Sequence, residues 1–307
     1  MAREIFATMI ELPPDYAFSG PPADRADHLR DDAAALGVLW PDASVLLIDD
    51  AGQAVAADEA HALWLPRGKE LSGSMPDGAT FLALHEGRGW FALRLDQAHT
   101  DRLRRVDLRA AALALPAFEA GLYAHARALM HWQATHRYCG RCGEPLQLIR
   151  AGHAARCARC GSEHYPRTDT AIIVAVSDGE RLLLGRQASW PAKRYSVLAG
   201  FLEPGERLED AVAREVHEET GVRVRSCSYA GSQPWPFPAS LMVGFEALAD
   251  GEPPRFGGEL EDARWFSVAD IEEGIAAGEL LLSLRLSISS WLIQRWLARH
   301  AAAPSLP

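Results

Sequence analysis

The segment GFLEPGERLEDAVAREVHEETGV, residues 200–222, carries six glutamates. Good helix formers fill residues 208–220, acidic residues stand in the first turn, and a glycine follows where a helix would end, so the pattern predicts a helix there. On that helix Glu215, Glu218 and Glu219 stand at i, i+3 and i+4, which places three carboxylates on one face. The spacing therefore concentrates negative charge at one point of the surface.

Like charges on one helix face repel, and the basic residues near them are Arg207 and Arg214. A hard divalent cation such as Mg²⁺ offsets this repulsion, because it prefers carboxylate oxygens and shares its other positions with water and substrate phosphates. A solvated acidic helix face is the alternative interpretation of such a cluster. The residue types alone leave both interpretations open.

Four cysteines form the pattern C-x2-C-x14-C-x2-C: Cys139, Cys142, Cys157 and Cys160. Four thiolates bind one Zn²⁺ tetrahedrally and leave no position for water, so the pattern predicts a structural zinc site; a site that has lost its metal or become oxidised is the alternative. Six arginines and two acids lie in residues 131–167, which makes this segment mildly basic. It could guide RNA, although a folding staple between domains is the favoured interpretation.

The segment SQPWPFPAS, residues 232–240, has three prolines at alternating positions. Such prolines forbid a regular central strand and predict a rigid, extended segment that fixes Trp235 and Phe237 between them. Rigid aromatic side chains can stack on flat rings. A packed surface loop is the alternative interpretation.

Length and composition limit the class of protein. The chain has 307 residues and a formal net charge of −10, which argues against coating nucleic acid through bulk electrostatics. Charged residues and prolines interrupt the first 20 residues too often for the apolar region of a secretory signal, and no run of about 18 apolar residues occurs. Paired CxxC motifs suit a reducing compartment, so we expect a cytoplasmic protein that does not enter membranes.

Periodicity predicts the elements that must position these motifs. In the first third, strands are predicted at residues 44–50 and 61–66, with a hairpin over residues 79–95. An alanine-rich helix interrupted by one proline follows. After the cysteines, strands are predicted at residues 170–187, in two runs joined by the turn SDGE, and at residues 194–201, 222–231, 240–250 and 263–268.

A C-terminal helix is predicted over residues 282–300. Its apolar positions recur at helical spacing, which predicts packing in the core or at a dimer interface rather than on a membrane surface. These positions are Leu284, Ile288, Trp291, Leu292 and Trp296.

The glutamate-rich segment resembles the Nudix box at every defined position. The matching residues are Gly200, Glu206, Arg214, Glu215, Val216, Glu218, Glu219, Gly221 and Val222. Resemblance to Nudix hydrolases implies a mixed sheet between helices and hydrolysis of a nucleoside diphosphate linked to a further group. It implies Glu215 and Glu219 as the firmest ligands of Mg²⁺ or Mn²⁺, with Glu218 as a third.

Two further residues of the box receive supporting roles. We expect Arg214 to orient a glutamate through a bidentate pair, and Glu206 to support the loop or a ligand.

Downstream of this box, the proline–aromatic segment resembles the SQPWPFPxS array of the NADH pyrophosphatase family. That family has an N-terminal domain and a zinc ribbon before its Nudix domain. The predicted fold class is therefore mixed α+β and α/β: a small α+β N-terminal domain in residues 1–130, a four-cysteine zinc ribbon in 131–167 and a Nudix domain in 168–300. The resemblance further implies a homodimer.

The family also implies the reaction and its contacts. The implied reaction splits NAD(H) into AMP and the nicotinamide mononucleotide, and it also implies removal of NAD caps from RNA. Glu259 sits where the family keeps an extra metal-binding glutamate, and Gly152 replaces an acidic contact. The implied substrate-binding residues are Tyr165, Ala199, Phe201, Gln233, Pro234, Trp235, Pro236, Phe237, Pro238, Ala239 and Ser240, with Arg109 and Ser289 aligned loosely.

Two other functions stay open at this point. A Nudix hydrolase for ADP-ribose or another dinucleotide is one, and the proline–aromatic array argues against it. A zinc-ribbon interaction protein with a decayed catalytic domain is the other, and the intact Glu215, Glu218 and Glu219 argue against that.

Overall fold

The computed structural model describes residues 17–18, 23–57, 62–95, 103–283 and 286–301. The chain divides into two compact units. The N-terminal unit comprises Gly20–Thr168 together with Pro234–Ala239. The C-terminal unit comprises Met1–Ser19, Asp169–Gln233 and Ser240–Pro307.

The N-terminal unit is built on a sheet in which one strand pair is parallel and the others are antiparallel. Its strands are β1 (Ser44–Ile48), β2 (Ala54–Val55), β3 (Thr80–His85), β4 (Arg88–Arg94) and β5 (Arg105–Val106), in the spatial order β3-β4-β1-β2-β5. The predicted hairpin is confirmed as β3 and β4. The predicted strand at residues 61–66 is wrong over its described part, where Leu63 forms a single bridge to Ala56; His61 lies outside the described residues.

Four α-helices of this unit fall within the described residues: α1 (Ala33–Leu39), α2 (Gly68–Leu71), α3 (Leu108–Ala111) and α4 (Ala117–Thr135). The break predicted in the alanine-rich helix is confirmed, since Pro116 is the N-cap of α4. Proline is tolerated at a helix start because the first N–H groups have no intrahelical partner. Short 3₁₀ turns occur at Asp27–Leu29, Trp40–Asp42 and Arg150–Gly152.

The core of this sheet is aromatic. Trp40, Phe81 and Phe91 are fully buried. The Phe91 ring meets Trp40 edge-on at 5.4 Å between centroids and Phe81 at 5.2 Å. Such edge-to-face pairs contribute about 0.5–1.5 kcal/mol beyond their buried area.

The cysteine-rich segment forms a small antiparallel sheet within the same unit. Its strands are β6 (Leu146–Ile149), β7 (Ala154–Cys157) and β8 (Glu163–His164). Gly152, between β6 and β7, has φ of +91°, and a Cβ there would lie 2.6 Å from the Thr80 hydroxyl oxygen. Glycine is therefore required at this position for both conformation and space.

The C-terminal unit contains a mixed sheet. Its strands are β9 (Asp169–Ser177), β10 (Leu182–Arg186), β11 (Leu198–Phe201), β12 (Val224–Trp235), β13 (Ser240–Ala249) and β14 (Asp262–Phe266), in the order β12-β13-β9-β10-β14 with β11 paired to β9. Strands β9 and β13 are parallel, whereas β9 is antiparallel to β10 and β11. The strands predicted from apolar runs are confirmed.

Helices cover both faces of this sheet: α5 (Leu208–Thr220), α6 (Val268–Ala276) and α7 (Ile288–Ala301). Along β9, Ile172 and Val174 pack in one core with α5, and Ile173 and Ala175 pack in the other with α6 and α7. This alternation is the period of two expected of a strand buried on both faces. The predicted mixed sheet between helices is confirmed.

The predicted bounds of the glutamate-rich helix are confirmed, and Gly221 ends α5 with φ of +69°. The C-terminal helix α7 begins at Ile288, later than predicted. Its buried Ile288, Leu292 and Trp296 confirm the packing in the core; Leu284 lies outside the described residues. None of the helices in the described residues has the length and apolar character that a bilayer crossing requires.

The proline–aromatic segment departs from the prediction. Strand β12 continues through Pro234 to Trp235, and Pro236–Ala239 form a turn into β13. Because β12 lies at the edge of the sheet, a proline that lacks an N–H is accommodated there. We call these four turn residues the aromatic turn.

Candidate active site

Strand β11, the loop after it and helix α5 bring the box glutamates together. A Cβ at Gly200 would lie 1.8 Å from the carboxyl carbon of Glu215. Any side chain at this position would therefore displace Glu215. The box begins with glycine because a carboxylate packs directly against the strand backbone.

Arg214 connects the carboxylates to the loop. Its Nε and Nη2 donate to Glu206 Oε1 and Oε2 at 2.8 and 2.9 Å, a bidentate pair. Its Nη1 donates to Glu215 Oε1 at 2.9 Å and to Glu218 Oε2 at 3.0 Å, and Nη2 also donates to the Phe201 carbonyl at 2.9 Å. One guanidinium thereby offsets the repulsion among three glutamates.

Glu206 closes the loop on itself. Its Oε2 accepts a hydrogen bond from the Glu203 amide at 3.0 Å. The hydrogen bonds from Arg214, followed by that amide, hold the pKa of Glu206 below its ordinary value. Glu206 is therefore an anion fixed in the loop, pointed at Arg214.

Glu219 has no such partner. Its residue is 9% exposed, and among the described residues its Oε2 is buried without a hydrogen-bond partner. Burial first, and then the charges of Glu215 and Glu259, raise the pKa of Glu219 to about 7. A buried, unpaired carboxylate oxygen next to a second carboxylate fits a divalent cation, which would supply the missing partner.

The carboxylates of the box do not converge into a closed cluster of ligand atoms. Glu218 points outward with 57% of its side chain exposed, and Glu259 is exposed in the turn before β14. Within the described residues, three or more ligand atoms lie within 4.8 Å of one another only at the four cysteines. An open set suits Mg²⁺ or Mn²⁺, which are usually held by one or two carboxylates plus water and phosphate oxygens.

The four cysteines meet the geometry of zinc. The Sγ atoms of Cys139 and Cys160 lie 3.6 Å apart, and those of Cys142 and Cys157 lie 3.4 Å apart. Tetrahedral zinc with bonds of about 2.3 Å places its sulfurs about 3.8 Å apart. The donor set and spacing therefore fit one structural Zn²⁺.

The substrate-binding residues implied by the family differ in exposure. Ala199 and Phe201 are both exposed and alternate along β11, with Phe201 61% exposed. Tyr165 is also exposed, and its hydroxyl donates to Glu163. These side chains are accessible to a ligand.

Phe237 of the aromatic turn and Trp235, the last residue of β12, both belong to the N-terminal unit. The Trp235 and Phe237 rings meet edge-on at 5.2 Å. The Arg109 guanidinium lies 4.1 Å from the centroid of Phe237 and 5.7 Å from that of Trp235. Pro236 is buried, Pro238 is exposed, and Ala239 and Ser240 are partly buried.

Gln233 has a different environment from the one expected of a ligand contact. It is fully buried, and its Nε2 donates to the carbonyls of Ala17 and Leu286 at 2.7 and 2.8 Å. Its Oε1 accepts from the Ile288 amide at 2.8 Å, at the start of α7. Both amide hydrogens are used inside the protein, so the side chain has no donor left for a substrate.

Ser289 is also buried. Its hydroxyl shares a 2.7 Å hydrogen bond with the Ser196 hydroxyl. The structure therefore places Gln233 and Ser289 in the core of the C-terminal unit, and their side chains are not on its surface.

Sequence reasoning missed Arg127, which stands on α4. Its Nη1 donates to the Pro236 carbonyl, and its guanidinium lies 4.7 Å from the centroid of Phe237. An isolated arginine in an alanine-rich helix gives no spacing signal that connects it to a segment more than a hundred residues away.

A mixed sheet between helices, with a glycine-led strand, loop and helix that present glutamates around one arginine, defines a Nudix hydrolase. Comparison with family models agrees. The NUDIX domain matches residues 166–283, the NADH pyrophosphatase zinc ribbon domain matches residues 134–165, and the NADH pyrophosphatase-like rudimentary NUDIX domain matches residues 35–132.

Curated relatives extend over nearly the whole chain. A protein of Mycobacterium bovis named NAD-capped RNA hydrolase NudC is 39% identical over 90% of this chain and 93% of its own length. The protein of the same name from Mycobacterium tuberculosis is 38% identical over the same shares. The chain belongs to this NADH pyrophosphatase and NAD-capped RNA hydrolase family of Nudix proteins. Among solved structures, a NUDIX hydrolase from Nitrosomonas europaea is 21% identical, with a TM-score of 0.44 over 56% of this chain and 96% of that one.

The raised pKa of Glu219 predicts a pH-dependent stability. Glu219 is uncharged in the folded protein up to about pH 7 but ionises near 4.5 when unfolded, so its contribution to stability is lost as pH rises through 7. Without added divalent metal, Glu219→Gln should therefore stabilise the protein at pH 8, by about 1–3 kcal/mol, and much less at pH 5. Thermal unfolding at both pH values measures this, with the exposed Glu209→Gln on the same helix as the control. Equal differences at the two pH values would contradict the prediction.

The contacts of Gln233 predict a structural role. Gln233→Leu keeps the volume but removes the side-chain partners of the Ala17 carbonyl and the Ile288 amide, whereas the Leu286 carbonyl still accepts from the Ala17 amide at 3.2 Å. This loss should lower the free energy of unfolding by about 2 kcal/mol or more. Urea unfolding measures the loss. Ser228→Ala, at an exposed position of the same strand, should change stability little; an unchanged midpoint for Gln233→Leu would show that the core pairing is dispensable.

The cysteine geometry predicts one zinc per chain. Elemental analysis of protein purified without chelators should find it, and Cys157→Ser should lower the unfolding temperature, because binding of a structural zinc contributes directly to folding. Cys157 is the position chosen for the substitution because it is the fully buried member of the four-cysteine set. Cys227→Ser, which lies outside the four-cysteine set, is the control and should retain the metal. Zinc-free wild-type protein would rule the site out.

Proposed function

We propose that this protein hydrolyses the pyrophosphate bond of NAD(H), giving AMP and the nicotinamide mononucleotide, and that it removes NAD caps from RNA to leave a 5′-monophosphate. The observation that carries the proposal is the buried carboxylate of Glu219 beside Glu215 in a complete Nudix box, whose Oε2 has no hydrogen-bond partner in the described part of the chain. The zinc ribbon and the proline–aromatic array support the choice of substrate. So do the relatives named NAD-capped RNA hydrolase.

Glu215 and Glu219 would hold the divalent cation, Mg²⁺ or Mn²⁺, with Glu218 and Glu259 as further ligands. When bound, such a cation neutralises charge on a pyrophosphate and lowers the pKa of a coordinated water. Arg214 keeps Glu215 and Glu218 in place through its hydrogen bonds, and Glu206 fixes Arg214. Glu219 must lose its proton to become a ligand, so the affinity for the divalent cation should fall as the pH drops below about 7.

Recognition of the substrate is assigned to aromatic and basic side chains, of which Phe201 and Arg109 are exposed whereas Trp235 and Phe237 are partly buried. Phe201, Trp235 and Phe237 offer aromatic faces, and Arg109 offers a cation beside the last two. A nicotinamide or adenine ring is flat and suits stacking on such groups. Tyr165 is proposed as a further contact, whereas Gln233 is proposed to support the fold.

Zinc, assembly and location complete the proposal. One Zn²⁺ per chain, held by the four cysteines, would be structural, because four thiolates leave no open position. A homodimer is proposed from the family resemblance. A cytoplasmic location is proposed because thiolate ligands of zinc persist in a reducing compartment.

The substrate assignment is tested by comparing kcat/KM for NADH, NAD⁺, ADP-ribose and NAD-capped RNA on one preparation. NADH or capped RNA should exceed ADP-ribose, because ADP-ribose has the pyrophosphate without the nicotinamide ring. Glu219→Gln should lower turnover of all four by about 100-fold or more, while Glu209→Gln should not. Trp235→Ala and Phe237→Ala should lower kcat/KM for NADH selectively, by about 2- to 12-fold. A preference for ADP-ribose would refute the assignment.

A further inference from the structure

Arg127 reaches from the N-terminal helix α4 to the aromatic turn within the N-terminal unit. Its Nη1 donates to the carbonyl of Pro236, and its guanidinium carbon lies 4.7 Å from the centre of the Phe237 ring. These two contacts hold a backbone group and the adjacent side chain of the same turn. A planar cation can satisfy both at once, since it donates along its edge and stacks through its face.

The loop at Gly52 leaves room for the Arg127 side chain. Gly52 has φ of +77°, and a Cβ at this position would lie 2.8 Å from Arg127 Nε. The loop at Gly52 is fixed by Tyr123, one turn earlier on α4, whose hydroxyl lies 2.9 Å from the Gly52 carbonyl and accepts from the Ala54 amide at 2.7 Å. Gly52 therefore provides the space that the Arg127 side chain occupies, and Tyr123 holds the Gly52 loop in place.

Among the described residues these contacts, and not a salt bridge, hold the guanidinium, while the charge of Asp107 also favours its charged form. Arg127 is partly buried, and its Nε is buried without a hydrogen-bond partner in the described residues. Burial lowers the pKa of Arg127, yet an arginine in a protein remains a cation. Desolvation strengthens an interaction between a cation and an aromatic face, so the Phe237 ring is a strong determinant of where this side chain rests.

Arg109 differs from Arg127 in its exposure. Arg109 is exposed, and its guanidinium lies 4.1 Å from the centre of the same ring. An exposed guanidinium can meet a ligand directly. The more enclosed Arg127, bonded to the backbone of the turn, is placed to set the ring rather than to bind a ligand.

We propose that Arg127 is a positioning residue that sets the orientation of Phe237 and thereby the selectivity of the aromatic turn for a nicotinamide ring. The selectivity for nicotinamide rests on the proposed function, whereas the orientation of Phe237 by Arg127 is independent of it.

The test compares Arg127→Met with Arg127→Lys and Arg94→Met. Arg94 is a matched control because its Nη2 donates to the Met130 carbonyl of the same helix at 3.2 Å and its Nη1 pairs with Asp50, both outside the aromatic turn. Arg127→Met should raise KM for NADH by about tenfold with little change in kcat, and should affect ADP-ribose less. Arg127→Lys, which keeps the charge, should fall between wild type and Arg127→Met.

Equal effects of Arg127→Met and Arg94→Met would overturn the proposal, as would an equal fall in kcat on both substrates. Both outcomes would mean that Arg127 acts on general stability. Thermal unfolding of all variants shows whether each one is folded at the assay temperature, and Arg127→Lys provides a second reading if Arg127→Met is unstable.

A second measurement does not depend on activity. Protein labelled with 4-fluorophenylalanine gives a fluorine NMR signal for Phe237, which is assigned by its loss in Phe237→Leu. Arg127→Met should shift this signal, and Arg94→Met should leave it in place. An unmoved signal refutes the positioning role even if NADH is hydrolysed, whereas a wild-type protein inactive on NADH with a shifted signal refutes only the proposed substrate.

Discussion

Mutual repulsion of carboxylates on one helix face is the constraint on which the rest of the C-terminal unit depends. Arg214 donates hydrogen bonds from one guanidinium to Glu206, Glu215 and Glu218, whereas Glu219 Oε2 is buried without a hydrogen-bond partner among the described residues. This division of roles requires the helix to lie close to strand β11, which is why glycine begins the box. The sheet, its two cores and the capped helix hold that approach fixed.

Sequence reasoning succeeded where local chemistry decides structure. The bounds of α5 follow from acidic residues at its start and a glycine at its end, and the zinc set follows from cysteine spacing. Prediction from the sequence was wrong where contacts with segments far away in the chain determine the local structure. The strand through Pro234 depends on β12 being an edge, and the burial of Gln233 depends on chain partners far away in sequence. The role of Arg127 could not be predicted either, because its partner Pro236 lies 109 residues away in sequence.

The sheet of the N-terminal unit resembles that of the C-terminal unit, although the Nudix box occurs only in the C-terminal unit. The family match of the N-terminal unit is to a rudimentary NUDIX domain. Like the C-terminal unit, it has one parallel strand pair in an otherwise antiparallel sheet, β1 with β4 in one and β9 with β13 in the other. Composition predicted a small α+β domain but could not reveal this relationship, because the box is the part that carries the signal.

The buried amide of Gln233 also has a consequence for the order in which the chain can fold. Its three partners are the backbone groups of Ala17, Leu286 and Ile288, which lie 216, 53 and 55 residues away. Such pairings close long loops and form only when both ends are present. During synthesis, strand β12 emerges well before the segment that satisfies Gln233. The hydrogen bonds of Gln233 can therefore form completely only after residues 286–288, at the start of α7, have left the ribosome.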